Sequence, residues 1–205
     1  MLSYLEPAFL IETLGTIGVI AIVFAESGLF FGFFLPGDSL LFTAGIFASQ
    51  GLLPIVPLVI GCVAAAIAGD SVGYAFGRRV GPAIFSREDS FFFHKRHVAR
   101  AEAFYKKHGT KTILLARFVP IVRTFAPIVA GVGSMPYKTF LAWNMIGGML
   151  WGGAVTLLGY FLGSAFPEIG RYLHWIIALI ILVSVVPIAI EVYRGYKARQ
   201  KEDVV

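Results

Sequence analysis

Gly73-Tyr74-Ala75-Phe76-Gly77 recurs 86 residues later as Gly159-Tyr160-Phe161-Leu162-Gly163, with both glycines and the tyrosine in place. At the same offset Ala44-Gly45 matches Ala130-Gly131, and no gap separates the matches. Small residues at helical spacing are also common wherever membrane helices pack closely. Several matches in one ungapped register nevertheless favour an internal repeat, and inverted repeats are a common plan of membrane transporters.

The composition is that of a membrane protein. Of the 205 residues, 58% are hydrophobic and 14% are charged, whereas an average soluble domain has about 25% charged residues. The length fits a single membrane domain, residues 1–205. The single cysteine, Cys62, excludes a disulfide framework within the chain. Because Met1–Pro7 contains no Lys or Arg, we expect the first apolar segment to be retained rather than cleaved as a signal peptide.

The net charge of +5 is concentrated beside the apolar segments. Nine of the 17 Lys and Arg residues lie from Arg78 to Lys111. Four more follow the last apolar segment: Arg194, Lys197, Arg199 and Lys201. Basic residues beside membrane spans indicate cytoplasmic loops and attract anionic headgroups. We therefore predict contact with phospholipid rather than nucleic acid, and a multi-pass protein with cytoplasmic N- and C-termini.

Four apolar segments are long enough to be predicted as spans, because about 20 apolar residues cross the hydrocarbon core. They are Phe9–Ala25, Pro54–Phe76, Phe140–Leu162 and Trp175–Tyr193. The second and fourth exit into basic residues, so both are predicted to run from outside to inside. The link from Ser164 to His174 is then external.

Two further apolar stretches, Gly28–Phe47 and Ile113–Val132, are interrupted and do not fit simple crossings. The interruptions are Pro36, Gly37 and Asp38 in the first, and Pro120, Arg123 and Pro127 in the second. Irregular backbone at membrane depth is tolerated where it lines a cavity or is buried in protein. We predict an all-α polytopic membrane protein, with two opposed re-entrant hairpins whose tips are Pro36, Gly37, Pro120 and Pro127, and about four full transmembrane helices.

This topology divides the chain into four parts. Repeat one covers about 26–77 and repeat two about 112–163, and a basic cytoplasmic connector, 78–111, joins them. The last span and a basic tail occupy 164–205. Apolar residues at helical spacing in the connector, ending at Gly109, predict an amphipathic helix on the cytoplasmic leaflet. The nearby His94, His97 and His108 are not predicted to bind metal, because no carboxylate completes a ligand set.

Five ionisable residues lie within apolar segments: Glu26, Asp38, Asp70, Arg117 and Arg123. Each costs about 2.5 to 3.5 kcal/mol at the bilayer centre, so such residues mark substrate or proton paths. Three acids and two bases leave a net charge of −1, which allows for a protonated or shared carboxyl. Three alternatives remain open. Asp38 could cap a helix, Asp70 could form a structural pair, and Glu26 could lie near the outer interface.

The repeat aligns Arg123 with Gly37, the neighbour of Asp38. The two hairpin tips are thus pseudo-equivalent and carry opposite charges, and we expect Asp38 and Arg123 to be close in at least one state. Arginine is suited to bidentate binding of phosphate. An anionic headgroup could therefore replace the carboxylate as the partner of the arginine.

Four motifs resemble the signatures of the DedA family of membrane proteins, which carry a VTT-like, SNARE-associated domain. They are Glu26-x-Gly28 with Phe34-Leu35-Pro36-Gly37-Asp38-Ser39-Leu40-Leu41; Gly69-Asp70-x-x-Gly73-Tyr74-x-x-Gly77-Arg78; Arg117-Phe118-x-Pro120-x-x-Arg123-Thr124-x-x-Pro127-x-x-Ala130-Gly131; and Phe140-x-x-x-Asn144-x-x-Gly147-x-x-x-Trp151 with Gly159-Tyr160-x-x-Gly163. The resemblance implies a lipid transporter of the bacterial inner (plasma) membrane. Members are linked to flipping undecaprenyl phosphate or phosphatidylethanolamine, and to the proton-motive force.

The family's essential acids and arginines fall on Glu26, Asp38, Arg117 and Arg123. We predict that Arg117 and Arg123 bind the lipid phosphate and that Glu26 and Asp38 take protons. The predicted supporting residues are Asp70, Asn144, Tyr74 and Tyr160.

The function predicted is movement of an anionic lipid, undecaprenyl phosphate, between leaflets, with no cofactor or metal. The alternatives are a flippase or scramblase of phosphatidylethanolamine or another phospholipid, and a proton-coupled transporter of small solutes or drugs. A membrane lipid phosphatase needs a nucleophile with an acid/base partner, and no His or Cys is near the arginines in sequence. We therefore expect no enzymatic activity. A homo-oligomer is compatible with the sequence.

Overall fold

The computed structural model describes residues 7–29, 35–85, 109, 111–117, 120–166, 168 and 175. Regular structure within these residues is helical. The helices are α1 (Pro7–Gly28), α2 (Gly37–Ser49), α3 (Ile55–Phe85), α4 (Thr112–Ala116), α5 (Pro120–Val132), α6 (Tyr137–Gly148), a π-helical segment (Met149–Ala154) and α7 (Val155–Ala165). Helix α6, the π-helical segment and α7 form one rod, Tyr137–Ala165.

Two helices among the described residues are long and apolar enough to cross a membrane, Ile55–Val80 and Tyr137–Ala165. They correspond to the predicted second and third spans. Helix α3 continues to Phe85, so the basic pair Arg78-Arg79 lies inside a helix rather than at the start of a loop.

The predicted first span is interrupted. Gly15 has φ 60° and ψ −158°, a backbone conformation that residues other than glycine rarely adopt, and it interrupts the helical geometry of α1. The apolar helix that contains this break, Thr13–Gly28, is shorter than a full span. The predicted fourth span and the amphipathic connector helix lie outside the described residues, apart from Trp175. Gly109, predicted to end the connector helix, has φ 76°.

The predicted interruptions of the two hairpins are partly correct. Helix α2 begins at Gly37 and helix α5 at Pro120, so a helix starts at each of these two predicted interruptions. Pro127, by contrast, lies inside α5 and does not form a tip. Proline is tolerated inside membrane helices where neighbouring helices compensate for the lost hydrogen bond. Here Pro127 is buried, and a Cβ built on Gly73 of α3 would lie 3.5 Å from its ring.

Each repeat packs its short helix against the long helix of the other repeat. Helix α2 lies along α7, and helix α5 lies along α3. A Cβ on Gly45 would lie 2.8 Å from the backbone nitrogen of Tyr160, and one on Gly131 would lie 2.7 Å from that of Arg78. The Ala-Gly pair of each repeat thus contacts the Gly-Tyr-x-x-Gly region of the other. Absence of side chains at these glycines allows both close approaches.

Helix α1 is held against α3 by a third close approach. A Cβ on Gly28 would lie 3.0 Å from Cα of Gly69, so the two backbones almost touch. This contact fixes the end of α1, which carries Glu26. Buried apolar side chains of α1, α2, α3 and the π-helical segment form the larger core, and Tyr74, Ile113, Ala130, Met135 and Phe140 form a second one.

Candidate functional site

Arg123 lies between two carboxylates that come from different helices. Its Nη1 donates to Oδ1 of Asp38 at 2.7 Å, and its Nη2 contacts Oε1 of Glu26. Glu26 is near the end of α1, Asp38 is in the first turn of α2, and Arg123 is in the first turns of α5. The expected contact between Asp38 and Arg123 is confirmed. Fully ionised, the three groups carry a net charge of −1.

Trp151, in the π-helical segment, completes this group. Its Nε1–H donates to the same oxygen of Asp38 at 2.6 Å, and its ring centroid lies 4.5 Å from Cζ of Arg123. A guanidinium at this distance over an indole face is attracted by the ring electrons. We call Glu26, Asp38, Arg123 and Trp151 the Arg123 cluster. Asp38 does not cap helix α2, which has no side-chain cap hydrogen bond. Its hydrogen bonds instead join α2 to α5 and to the π-helical segment.

Glu26 is the most deeply buried acid of the cluster, with 1% of its surface exposed. Its second oxygen, Oε2, has no hydrogen-bond partner among the described residues. That oxygen lies against the backbone at Gly37, where a Cβ would overlap the carboxylate. Glu26 thus lies in the interior of the protein, and glycine at position 37 makes room for it. An unpaired buried carboxylate oxygen is costly, so this atom is suited to a proton or a further ligand.

Arg117, at the end of α4, forms a second group with Asp70 and Asn144. Its Nη2 lies 2.7 Å from Oδ2 of Asp70 and 3.2 Å from the carbonyl oxygen of Ala66. Its Nη1 donates to both the backbone oxygen and Oδ1 of Asn144, each at 3.0 Å. Nδ2 of Asn144 in turn donates to the carbonyl oxygen of Ile67. We call Arg117, Asp70 and Asn144 the Arg117 cluster; it ties α4, α3 and α6 together and is neutral when both charged groups are ionised.

The two clusters meet at Trp151. Cζ of Arg117 lies 5.9 Å from the indole centroid, against 4.5 Å for Arg123. The five ionisable residues singled out in the sequence therefore form two neighbouring groups rather than five isolated charges. The two arginines differ in their partners. Arg117 bonds to neutral oxygens as well as to one carboxylate, whereas Arg123 is bonded to carboxylates.

Two of the predicted supporting residues lie elsewhere. The hydroxyl of Tyr74 donates to the carbonyl oxygen of Met135, and its ring stacks on Phe140 at 4.6 Å. Tyr160 packs against the larger core and makes an edge contact with Phe161. Neither tyrosine has a hydrogen bond to Glu26, Asp38, Asp70, Arg117 or Arg123 among the described contacts. Both occupy the close helix contacts between repeats.

The sequence prediction missed the part played by Trp151. Its position in the fourth motif was visible, but a tryptophan in an apolar helix is expected in many packing roles. The chemical clue in the sequence was that a buried indole N–H needs an acceptor, and Asp38 was one of the acids available in the apolar segments. The π-helical segment, of a kind often found at functional sites, could not be read from the sequence.

Comparison with known proteins agrees with these motifs. The VTT domain model matches residues 35–161. Protein DedA of Escherichia coli K12 is 48% identical over 179 residues, which are 86% of this chain and 81% of that protein. An uncharacterized membrane protein of Mycobacterium tuberculosis H37Rv is 48% identical over 188 residues, or 89% of this chain and 81% of the relative. One from Mycobacterium leprae is 44% identical over 182 residues, with the same coverage.

No solved structure matches the chain. The family match covers more than half of the sequence and includes both charged clusters except Glu26. The relatives are aligned over most of their own length and are named as membrane proteins. The two long apolar helices agree with that environment. This chain is therefore a membrane protein of the DedA family, built on a VTT domain.

Proposed function

We propose that the protein moves an anionic lipid, undecaprenyl phosphate, across the bacterial inner membrane. The observation that carries the proposal is Arg123, which is largely buried, faces an indole and is bonded to carboxylates from two different helices. A phosphate monoester presents the same kind of oxygens as those carboxylates. It can take their place on the guanidinium without leaving the charge unpaired.

Arg123 is the first headgroup ligand in this proposal. Its partners are two carboxylates on separate helices, and either can be released while the other remains. Arg117 contributes after Arg123, because four contacts to three residues on helices α3 and α6 hold it in place. Its closeness to the same indole ring adds a second positive charge to this region.

Protons take part through Glu26 and Asp38. When a headgroup binds Arg123, the displaced carboxylates lose their positive partner inside the protein. Uptake of a proton by one of them removes the cost of a buried, unpaired charge. The unpaired Oε2 of Glu26 supports this role. Transport would then follow the proton-motive force.

The membrane arrangement in this proposal is the opposed pair of re-entrant hairpins. Helix α2 belongs to one hairpin, and helices α4 and α5 belong to the other. The close approaches of α2 to α7 and of α5 to α3 support an arrangement in which the short helix of each repeat packs against the long helix of the other. The headgroup would pass between the hairpin tips while its chain stays in lipid.

The test is reconstitution of the full chain into liposomes with undecaprenyl phosphate in both leaflets. A membrane-impermeant phosphatase added outside removes the accessible phosphate. Protein-containing liposomes should lose all of it, while protein-free liposomes should stop at the outer-leaflet fraction. Arg123→Ala protein should behave as the protein-free sample does.

Two other outcomes would replace this proposal. In one outcome, an impermeant amine reagent added outside labels the inner-leaflet phosphatidylethanolamine, while the inner-leaflet undecaprenyl phosphate stays protected from the phosphatase. The transported lipid would then be phosphatidylethanolamine. Uptake of a small solute driven by a pH gradient, with neither lipid moving, would identify a solute transporter.

A further inference from the structure

Trp151 contacts both members of the Asp38–Arg123 pair. Its N–H and the guanidinium of Arg123 donate to one and the same oxygen of Asp38, at 2.6 Å and 2.7 Å. Its ring also lies over Arg123. The side chain is 3% exposed, so water does not compete for these contacts from the indole side. Asp38 thus has two donors, and only one of them is charged.

We propose that Trp151 is the positioning residue that allows Asp38 to release Arg123 to an anionic lipid headgroup; the idea rests on the proposed function. Before exchange, Asp38 accepts from both Arg123 and Trp151. After the headgroup has taken Nη1 of Arg123, the indole N–H remains as the donor to Asp38. The exchange therefore never leaves that carboxylate without a partner.

The indole ring has a second part in the same step. A guanidinium that lies over a ring face keeps its N–H groups free at its edges. The Arg123 guanidinium can therefore exchange one oxygen partner for another while its plane stays fixed. Arg117 lies 5.9 Å from the same ring centroid, so both guanidinium groups lie beside one indole ring.

The π-helical turn helps to place the indole. Gly152 follows Trp151, and a Cβ there would lie 3.3 Å from the Cys62 carbonyl oxygen of α3. The rod is therefore held close to α3 at the residue that follows the indole. Wider helical turns of this kind recur at functional sites.

A packing role and the proposed role predict different measurements. Trp151→Phe keeps an aromatic face for Arg123 and removes the N–H. If Trp151 only fills space, the variant loses some stability, and its affinities for the phosphate and alcohol forms of the lipid stay in the same ratio. If Trp151 holds Asp38 during exchange, the variant loses affinity for the phosphate form of a lipid and keeps its affinity for the alcohol form.

The experiment measures binding of a short polyprenyl phosphate and of the matching polyprenol to the purified full chain in detergent. A hydrogen bond to a charged group is worth about 1.5 to 3 kcal/mol, so Trp151→Phe should weaken phosphate binding roughly ten-fold or more. Polyprenol binding should not change. In an Asp38→Asn background the same substitution should cost less than about three-fold, because no charge is left to be stranded. Trp143→Phe, on the same rod, is the matched control and should change neither.

A second measurement covers the case in which Trp151→Phe does not fold. With Trp143 and Trp175 both replaced by Phe, Trp151 is the remaining tryptophan of the three. Its fluorescence should change on titration with the phosphate and not with the alcohol.

The outcomes separate the two ideas. A wild-type chain that binds phosphate and alcohol equally well overturns the proposed function and this role with it. Suppose that the wild-type chain prefers the phosphate. If Trp151→Phe keeps this preference, the role of Trp151 alone is overturned. The same holds if Trp151→Phe weakens phosphate binding as much in the Asp38→Asn background as in the wild-type chain. In the single-tryptophan protein, a phosphate titration that leaves the fluorescence unchanged has the same consequence.

Discussion

Asp38 and Arg123 lie 85 residues apart in the sequence and are joined by a hydrogen bond of 2.7 Å between Oδ1 and Nη1. Their contact brings the start of α2 against the start of α5. The internal repeat aligns Gly37, beside Asp38, with Arg123. One pair of side chains therefore connects equivalent points of the two repeats, and opposite charges make the contact favourable.

The first prediction concerns the energy of this pair. Arg123→Gln leaves both Glu26 and Asp38 without their cation, so it should destabilise the protein by about 3 kcal/mol. Asp38→Asn should cost about 1 kcal/mol, because Glu26 still pairs with Arg123. The double variant should be more stable than the sum of the two losses by about 1 kcal/mol or more. Thermal unfolding in detergent measures the cycle, and additive losses would contradict an energetic link between the two residues.

The two arginines should respond differently to lysine. Lysine keeps the charge but lacks the planar fork that serves several acceptors. Arg117→Lys should lower stability, since one ammonium cannot replace the bonds to Asn144, Ala66 and Asp70. Arg123→Lys should fold better and move lipid at a reduced rate. Full transport by Arg123→Lys would show that bidentate binding of phosphate is the wrong description.

Neutral substitutes for the acids test proton coupling. Glu26→Gln and Asp38→Asn cannot take up the proton that compensates a displaced carboxylate, so transport should lose its dependence on a pH gradient. Liposomes with the gradient imposed in either direction provide the measurement. Glu168→Gln, at an exposed position that belongs to neither cluster, is the control and should keep the wild-type response. If both cluster variants keep it as well, these acids are structural.

The close contacts between repeats should not tolerate added volume. Gly131→Ala and Gly45→Ala each place a methyl group within 2.8 Å of a backbone nitrogen on the facing helix. Each should destabilise the protein by about 2 kcal/mol, as overpacking does. Gly153→Ala is the matched control, since its Cβ would lie 3.5 Å from a side-chain methyl of Val63. It should be neutral or slightly stabilising, because alanine favours a helix.

The predicted topology is open to labelling. In a Cys62→Ala background, single cysteines at positions 95 and 201 should react only from the cytoplasm. A cysteine at Ser164, which is exposed at the end of α7, should react only from the outside. Reaction of position 95 from the outside would contradict the opposed arrangement of the two repeats.

The sequence by itself determined the class of protein, the repeat and the family. Long apolar stretches cost too much in water to be anything other than membrane or core helices, so α3 and the Tyr137–Ala165 rod were predictable from composition alone. The five ionisable residues in apolar segments were evident for the same reason, since a charge in an apolar segment needs a partner. Proline and glycine located the starts of α2 and α5.

The tertiary structure decided the pairing of the other charges: Glu26 with Arg123, and Asp70 with Arg117. Local sequence pattern does not report contacts between residues 27 or more positions apart, so the division into an Arg123 cluster and an Arg117 cluster could not be predicted from it. Nor could the difference between an arginine bonded to carboxylates and one bonded to carbonyl oxygens as well. The path of Pro127 through α5, the break at Gly15 and the placement of Trp151 depend on packing against α3 and on local backbone geometry. The chemistry of the side chains thus identified the five ionisable residues from the sequence. The packing of the helices, which approach closely at glycine residues, determined which residues they contact.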